Sequence, residues 1–283
     1  AYISSEMMYR PKPQKYFYIG PCFRYDEPSP GRYRQFTQAG IEIFGADTAL
    51  ADTEMMIVPM DLLKKLNLKN YILRINDLTI LKSYLEKHKI DESIEKQIFG
   101  IIDNVTGHLR KIEIGAEKEK TQEECIEDYW SQMRELNISE EIINTLEKLL
   151  MLVGSPSEVI PHLEEIFQKT ESMSLIIKES KLPQVCELLQ AANISNFVVD
   201  CGIARGLDYY TDIVFEIDAP VLGKEKQICG GGRYNQLIRD FGGEETPACG
   251  FSFGFERIII ALEKQNALPS FPMRAQVFIG MKE

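Results

Sequence analysis

No stretch of about 18 apolar residues occurs in this 283-residue chain, so nothing in it reads as a membrane-spanning helix. The opening residues lack a secretory signal pattern. Histidine is scarce: His88, His108 and His162 are the only three. The six cysteines (Cys22, Cys125, Cys186, Cys201, Cys229, Cys249) are scattered without pairwise metal spacing. They read as reduced thiols of a cytoplasmic protein, with no zinc and no resident metal expected. Positive charge is also short, with 32 Lys and Arg against 43 Asp and Glu, a net charge of −11. That balance argues against a surface that coats nucleic acid generally. It leaves room for a local basic groove, because much of the acidity lies between Asp91 and Glu187. The run Gly230-Gly231-Gly232 has neither the Gly-x-Gly-x-x-Gly order nor a following Lys-Ser/Thr, so dinucleotide and Walker-type phosphate loops fit poorly. What is present is a 44% apolar content, enough for a substantial core and more than one domain.

Along the chain, Lys15 to Phe44 reads as two strands joined by a loop bearing proline and glycine. Asp52 to Leu66 has helical apolar spacing, with Asp52 or Thr53 expected as N-cap and a kink expected at Pro59. Tyr71 to Ile75 is a short strand. From Tyr84 to Thr170 glycine thins out, charge is dense and apolar residues recur at helical spacing, as in Ile142, Ile143, Leu146, Leu149 and Leu150. Ser139 and Ser155 open helices there, the second followed at once by Pro156. Ser172 to Ala191 is helical with a break near Pro183. Phe197–Asp200, Tyr209–Ile217, Lys226–Cys229 and Ala248–Phe253 read as strands, and Phe255–Lys264 as a helix. Short turns between consecutive strands point to an antiparallel sheet.

The first hairpin carries the densest chemistry. Counting by twos, Cys22, Arg24 and Asp26 share one face of its first strand, and Gln38, Gly40 and Glu42 share one face of the second. An arginine, two carboxylates and an amide around a glycine form a platform for a polar ligand. The same residues alone fit an ordinary charged, solvent-facing sheet.

The segment from Phe23 through Arg24, Asp26, Arg32, Gln38 and Glu42 to Gly45 resembles the second signature motif of class II aminoacyl-tRNA synthetases, in the form of the archaeal-type histidyl-tRNA synthetases. Arg205-Gly206-Leu207-Asp208-Tyr209-Tyr210-Thr211 resembles that family's histidine motif. Gly250-Phe251-Ser252-Phe253-Gly254-Phe255-Glu256-Arg257 resembles the third class II motif. With Gly231-Gly232-Arg233-Tyr234 these run in the family's order over nearly the whole chain.

The resemblance implies an α+β fold, a class II synthetase-type antiparallel β-sheet flanked by helices, with an inserted all-helical domain. The implied division is a catalytic domain over 1–83 and 171–273, a helical insertion over 84–170, and the start of an anticodon-binding domain over 274–283. It also implies ATP with Mg2+, histidine and the tRNA for histidine as ligands, a homodimer and no membrane. Arg24 would contact the α-phosphate and the activated carboxyl, Arg257 the far end of ATP, Arg32 the β/γ-phosphates and Asp26 the adenine. Arg205 would act at the α-phosphate beside the amino acid. Glu42 and Tyr210 would meet the imidazole, Gln38 the amino-acid backbone groups, and Tyr234 would complete the pocket. Asp208 is expected to brace the turn near Arg205, and Glu256 to pair structurally.

That set of groups suits amino-acid activation. The attacking carboxylate is already ionised, so no protein base is needed, and all three histidines lie in the helical block. Arginines hold phosphate oxygens with a planar fork and disperse charge in the transition state. The helical block is expected to serve tRNA or to be plain scaffold. Two non-ligase readings compete on the same fold: a synthetase-like regulatory subunit of ATP phosphoribosyltransferase, and a tRNA-sensing domain of a kinase. Retention of Arg24, Gln38, Glu42, Arg205, Tyr210 and Arg257 disfavours both. The chain reads as an internal fragment, because the family's first motif and a threonine–glutamate clamp belong upstream, and Ala275 to Gly280 looks like the first strand of a further domain.

Overall fold

A computed structural model describes residues 2–25, 27–28, 31–113, 115, 120–167, 171–204 and 209–269. β1 (Gln14–Phe23) and β2 (Gln35–Phe44) form the expected hairpin. α1 (Ala49–Lys65) follows, then β3 (Ile72–Asp77), α2 (Leu78–Lys87), α3 (Glu92–Glu113), α4 (Gln122–Glu135) and α5 (Glu140–Leu150). A two-residue strand β4 (Val153–Gly154) precedes α6 (Pro156–Phe167), α7 (Glu171–Glu179) and α8 (Leu182–Ala191). The chain then returns to the sheet through β5 (Phe197–Asp200), β6 (Ile213–Asp218) and β7 (Gln227–Arg233). It closes with α9 (Leu237–Asp240), β8 (Ala248–Gly254) and α10 (Phe255–Lys264).

The eight strands make one sheet in the order β1-β2-β8-β7-β6-β3-β5-β4. Every pair is antiparallel except β3 and β5, which run parallel with Leu73 opposite Phe197. The exception follows from what lies between them: a long helical crossover lets the chain re-enter in the same direction, which a tight turn cannot do.

Local sequence explains several helix starts. Ser139 caps α5 through its side chain, Thr121 and Glu124 form a reciprocal box at α4, and Ser155 with Glu158 does similar work before α6. Pro183 sits in the first turn of α8, where a missing N–H costs nothing. The expected cap of α1 needs correction. Its cap is Thr48, whose hydroxyl accepts from Ala51 N–H at 3.2 Å, and the helix continues through Pro59 as one element. Thr53 turns inward and donates to Ala49 O at 2.7 Å. Asp52 is buried and pairs with the fully buried Arg233, which donates to it through Nε at 2.8 Å. Thr48→Ala is expected to lower stability by about 1 kcal/mol in urea unfolding, because an exposed cap contributes that much.

The helical crossover is fastened to the sheet. Arg110 of α3 reaches Asp200 and Glu216, both at 2.8 Å. Arg74 of β3 reaches Asp200 at 3.1 Å, Asp218 at 3.2 Å and Glu113 of α3 at 3.2 Å. Burial, then the neighbouring Glu216, raises the Asp218 carboxyl above its ordinary range. Ile98, Ile102, Val105, Tyr129 and Leu146 share one apolar cluster with Leu73, Ile75, Val199 and Phe215 of the sheet. Residue 84 falls inside α2, which starts directly after β3.

Candidate active site

The strand registers align Glu42 with Gly250 and Gly232, and Gly40 with Ser252 and Gly230, across β2, β8 and β7. Residues opposite one another in an antiparallel sheet point to the same face. That face carries two adjoining cavities. The first, about 250 Å³, is lined by Arg24, Phe36, Gln38, Gly230, Ser252, Glu256 and Arg257, among others. The second, about 540 Å³, is lined by Tyr18, Gln38, Glu42, Tyr209, Tyr210, Gly230, Tyr234, Gly250 and Ser252, among others. Gln38, Gly230 and Ser252 therefore belong to both.

In the first cavity two guanidinium groups are held by backbone carbonyls. Arg257, at the start of α10, donates from Nε to Gly31 O at 2.8 Å and from Nη1 to Gln227 O at 2.7 Å. Arg24 donates to Tyr33 O at 3.0 Å, and its guanidinium lies 4.4 Å from the centre of the Phe36 ring. Glu256 accepts from Thr37 N–H at 2.8 Å, so its structural pairing ties α10 to β2. Arg32 is exposed in the loop and is not among the residues lining this cavity. Asp26, Arg205 and Asp208 lie outside the described residues, as does the strand expected at 275–280.

The second cavity is aromatic with one carboxyl at its base. Tyr234 donates its hydroxyl to Glu42 Oε2. Burial pushes the Glu42 carboxyl up to about 7, against a lowering by that bond, so burial dominates. Burial beside the same carboxyl raises the Tyr234 phenol further. Tyr209 stands edge-on to Tyr234 at 6.0 Å and tilts against Tyr210 at 4.6 Å. Gly250 is required here by space: a Cβ at that position would lie 1.8 Å from Glu42 Oε2. Cys22 donates its thiol to Gln38 Oε1 at 3.2 Å, fixing the amide at the junction of the two cavities.

The structure thus brings together Arg24, Gln38, Glu42, Tyr210, Tyr234 and Arg257, drawn from positions far apart in sequence. Sequence reasoning missed Tyr18, which lines the second cavity, and whose phenol burial beside Glu42 raises to about 12. The signal was available: Tyr18 lies on the by-twos face of Cys22 and Arg24. It also missed Phe36 beneath Arg24, which lies on the by-twos face of Gln38, Gly40 and Glu42 and opposite Cys22 in the hairpin. The expected strand at Tyr209–Ile217 begins only at Ile213, because Tyr209 and Tyr210 leave the ladder to wall the cavity.

A mostly antiparallel eight-stranded sheet flanked by helices is the fold of class II aminoacyl-tRNA synthetases. The profile described as Histidyl-tRNA synthetase matches residues 1–258, and the chain belongs to that family. Histidine–tRNA ligase of Thermococcus kodakarensis is 36% identical over 270 residues, covering 95% of this chain and 57% of that protein. The crystal structure of histidyl-tRNA synthetase from Nostoc sp. PCC 7120 superposes with a TM-score of 0.74 at 26% identity, covering 96% of this chain and 59% of that one. A Bacillus halodurans structure titled as an ATP phosphoribosyltransferase regulatory subunit/histidyl-tRNA synthetase shares the fold, with a TM-score of 0.72 at 22% identity over 94% of this chain and 62% of its own. The chain therefore spans less than two thirds of the length of these proteins.

Proposed function

We propose that this chain is the adenylating part of a histidine–tRNA ligase, which joins histidine to ATP as histidyl-adenylate and passes the histidyl group to its tRNA. The junction of the two cavities carries this reading: a carboxylate entering from the Glu42 side meets a phosphate held from the Arg257 side at Gln38, Gly230 and Ser252. A carboxylate oxygen forms a bond to the α-phosphorus, the bond to the bridging oxygen breaks, and pyrophosphate leaves. No proton moves in that step. Arg24 meets the α-phosphate and Arg257 the far end of ATP. Glu42 and Tyr210 select the imidazole, Gln38 holds the amino-acid backbone groups, and Tyr234 keeps Glu42 in place. The roles of Arg205 at the α-phosphate, Arg32 at the outer phosphates and Asp26 at adenine rest on the motif resemblance.

Mg2+ would arrive with the phosphates. Glu256 is the one carboxylate lining the first cavity among the described residues, and no group of three histidine, cysteine or acidic side chains among them could hold a metal alone. That donor set fits an ion carried mainly by phosphate oxygens. The helical block at 84–170 is read as an insertion facing tRNA. A second copy of the chain is read as the cover for β1, an edge strand whose Phe17, Ile19 and Phe23 are 79, 67 and 73% exposed on the face away from the pockets. The setting is read as cytoplasmic, and no helix among the described residues is long and apolar enough to cross a membrane.

Histidine-dependent ATP–pyrophosphate exchange by the intact protein tests the reading. Exchange with histidine and not with other amino acids is expected. Absence of exchange, together with stimulation of an ATP phosphoribosyltransferase, would assign the regulatory function instead. Arg257→Lys keeps the charge and loses the planar fork held by two carbonyls, so the KM for ATP should rise about tenfold while that for histidine stays. Equal changes in both constants would remove Arg257 from the ATP site.

A further inference from the structure

We propose that Lys82, on α2, is a positioning residue for the amino-acid pocket, holding its tyrosine wall from outside; the proposal deepens the ligase reading and rests on it for its kinetic test. Lys82 Nζ donates to Tyr210 O at 2.8 Å and lies 3.5 Å from Thr211 O. The same short segment is tied at two more points, by Leu78 N–H to Asp212 O at 3.1 Å and by Thr211 N–H to Arg233 O at 2.8 Å. Tyr209 and Tyr210 can project into the second cavity only while this segment stays off the β6–β7 ladder and against β7. The fit is close: a Cβ on Gly232 of β7 would come within 2.8 Å of the Tyr210 ring.

Lys82 is suited to a fixed contact. It is half-buried, and the groups facing it are acidic from three directions: Glu95 on α3, Asp77 at the head of α2 and Asp212 beside the pocket. Burial lowers its ammonium from the ordinary range, and those three carboxylates oppose the shift. An ammonium bonded to a carbonyl in such surroundings is worth more than an exposed one. The helices that open the long crossover thus reach the histidine pocket directly, through the backbone of its wall.

The test uses the full-length protein. Lys82→Met should raise the KM for histidine in pyrophosphate exchange about tenfold and leave that for ATP within about twofold, because one charged hydrogen bond to the wall is lost. Lys82→Arg, which can still donate to the carbonyl, should recover most of the loss. Amide hydrogen–deuterium exchange over residues 209–217 should quicken in Lys82→Met and stay unchanged in the control Glu86→Gln, on the exposed side of the same helix. A histidine KM unmoved, both constants rising together, or unchanged amide exchange would each overturn the proposal. If Lys82→Met does not fold, Lys82→Leu removes the donor with a shorter apolar stem and is judged by the same outcomes. A wild-type protein with no histidine-dependent exchange would sink the ligase reading, while amide exchange still decides whether Lys82 holds the wall.

Discussion

Glu42→Gln should lose histidine and gain stability at the same time. The carboxyl is half-buried in the lining of the second cavity, bonded by the Tyr234 hydroxyl, and held at about 7 by loss of solvent, above its ordinary 4.5. Between those two pH values the native chain keeps a proton that the unfolded chain has released, so stability falls as pH rises, and the penalty is complete above about 7. Glutamine cannot ionise, yet its amide oxygen still accepts from Tyr234. At pH 8 the variant should therefore be more stable than the parent by on the order of 2–3 kcal/mol, and near pH 4.5 the difference should vanish. Function moves the other way. The proposed bond from the imidazole N–H to this group loses its charge assistance, worth about 1.5–3 kcal/mol, so kcat/KM for histidine should fall by about 10²-fold with ATP little changed. Calorimetric melting at both pH values, with pyrophosphate exchange, checks both halves. A lower melting temperature at pH 8 would show that burial does not strain Glu42, and equal losses for histidine and ATP would move it out of the amino-acid pocket.

The same residue shows why much of this site was legible. A period of two is a property of any strand, so Gln38, Gly40 and Glu42 must share a face once β2 forms, and an antiparallel neighbour supplies Gly250, Ser252 and Gly254 at the same spacing. Tyr18 follows by the same count, two positions beyond Gly20 on the face of Cys22 and Arg24. Other features depend on pairings that local sequence does not encode. Asp52 looks like a helix cap because acidic residues favour that place. Its real partner is Arg233, 181 positions away, and burying that pair leaves Thr48 to cap the helix. The parallel pairing of β3 with β5 depends on how a long crossover folds back, and no short-range pattern specifies that. Arg32 was assigned with the other motif arginines, yet only Arg24 and Arg257 line the first cavity among those described. A loop residue's reach depends on its backbone path, which spacing alone does not fix.

Gly250→Ala should abolish histidine activation more completely than any change at Glu42 itself. The added methyl would stand 1.8 Å from Glu42 Oε2, 2.6 Å from its carboxyl carbon and 2.7 Å from Ile41 O. The carboxyl must leave its place, and the backbones of β2 and β8 must also part by some tenths of an ångström, since Ile41 O cannot rotate away. Overpacking of this kind typically costs about 1–3 kcal/mol, so the protein should fold with a lowered melting temperature. Activity should suffer more, because a misplacement near 1 Å in a positioning group can cost about 10²-fold and here the carboxylate proposed to select histidine and the strand beneath it move together; a fall of about 10³-fold in kcat/KM for histidine is expected. ATP binding, measured by calorimetry, should survive, because Gly250 does not line the first cavity. The double variant with Glu42→Gln separates the two contributions. If displacement of Glu42 dominates, the double variant is little worse than Gly250→Ala alone, since the same interaction cannot be lost twice. Additive losses would place the damage in the spacing of β2 and β8, and Gly250 would then matter for the sheet and not for the carboxylate beside it.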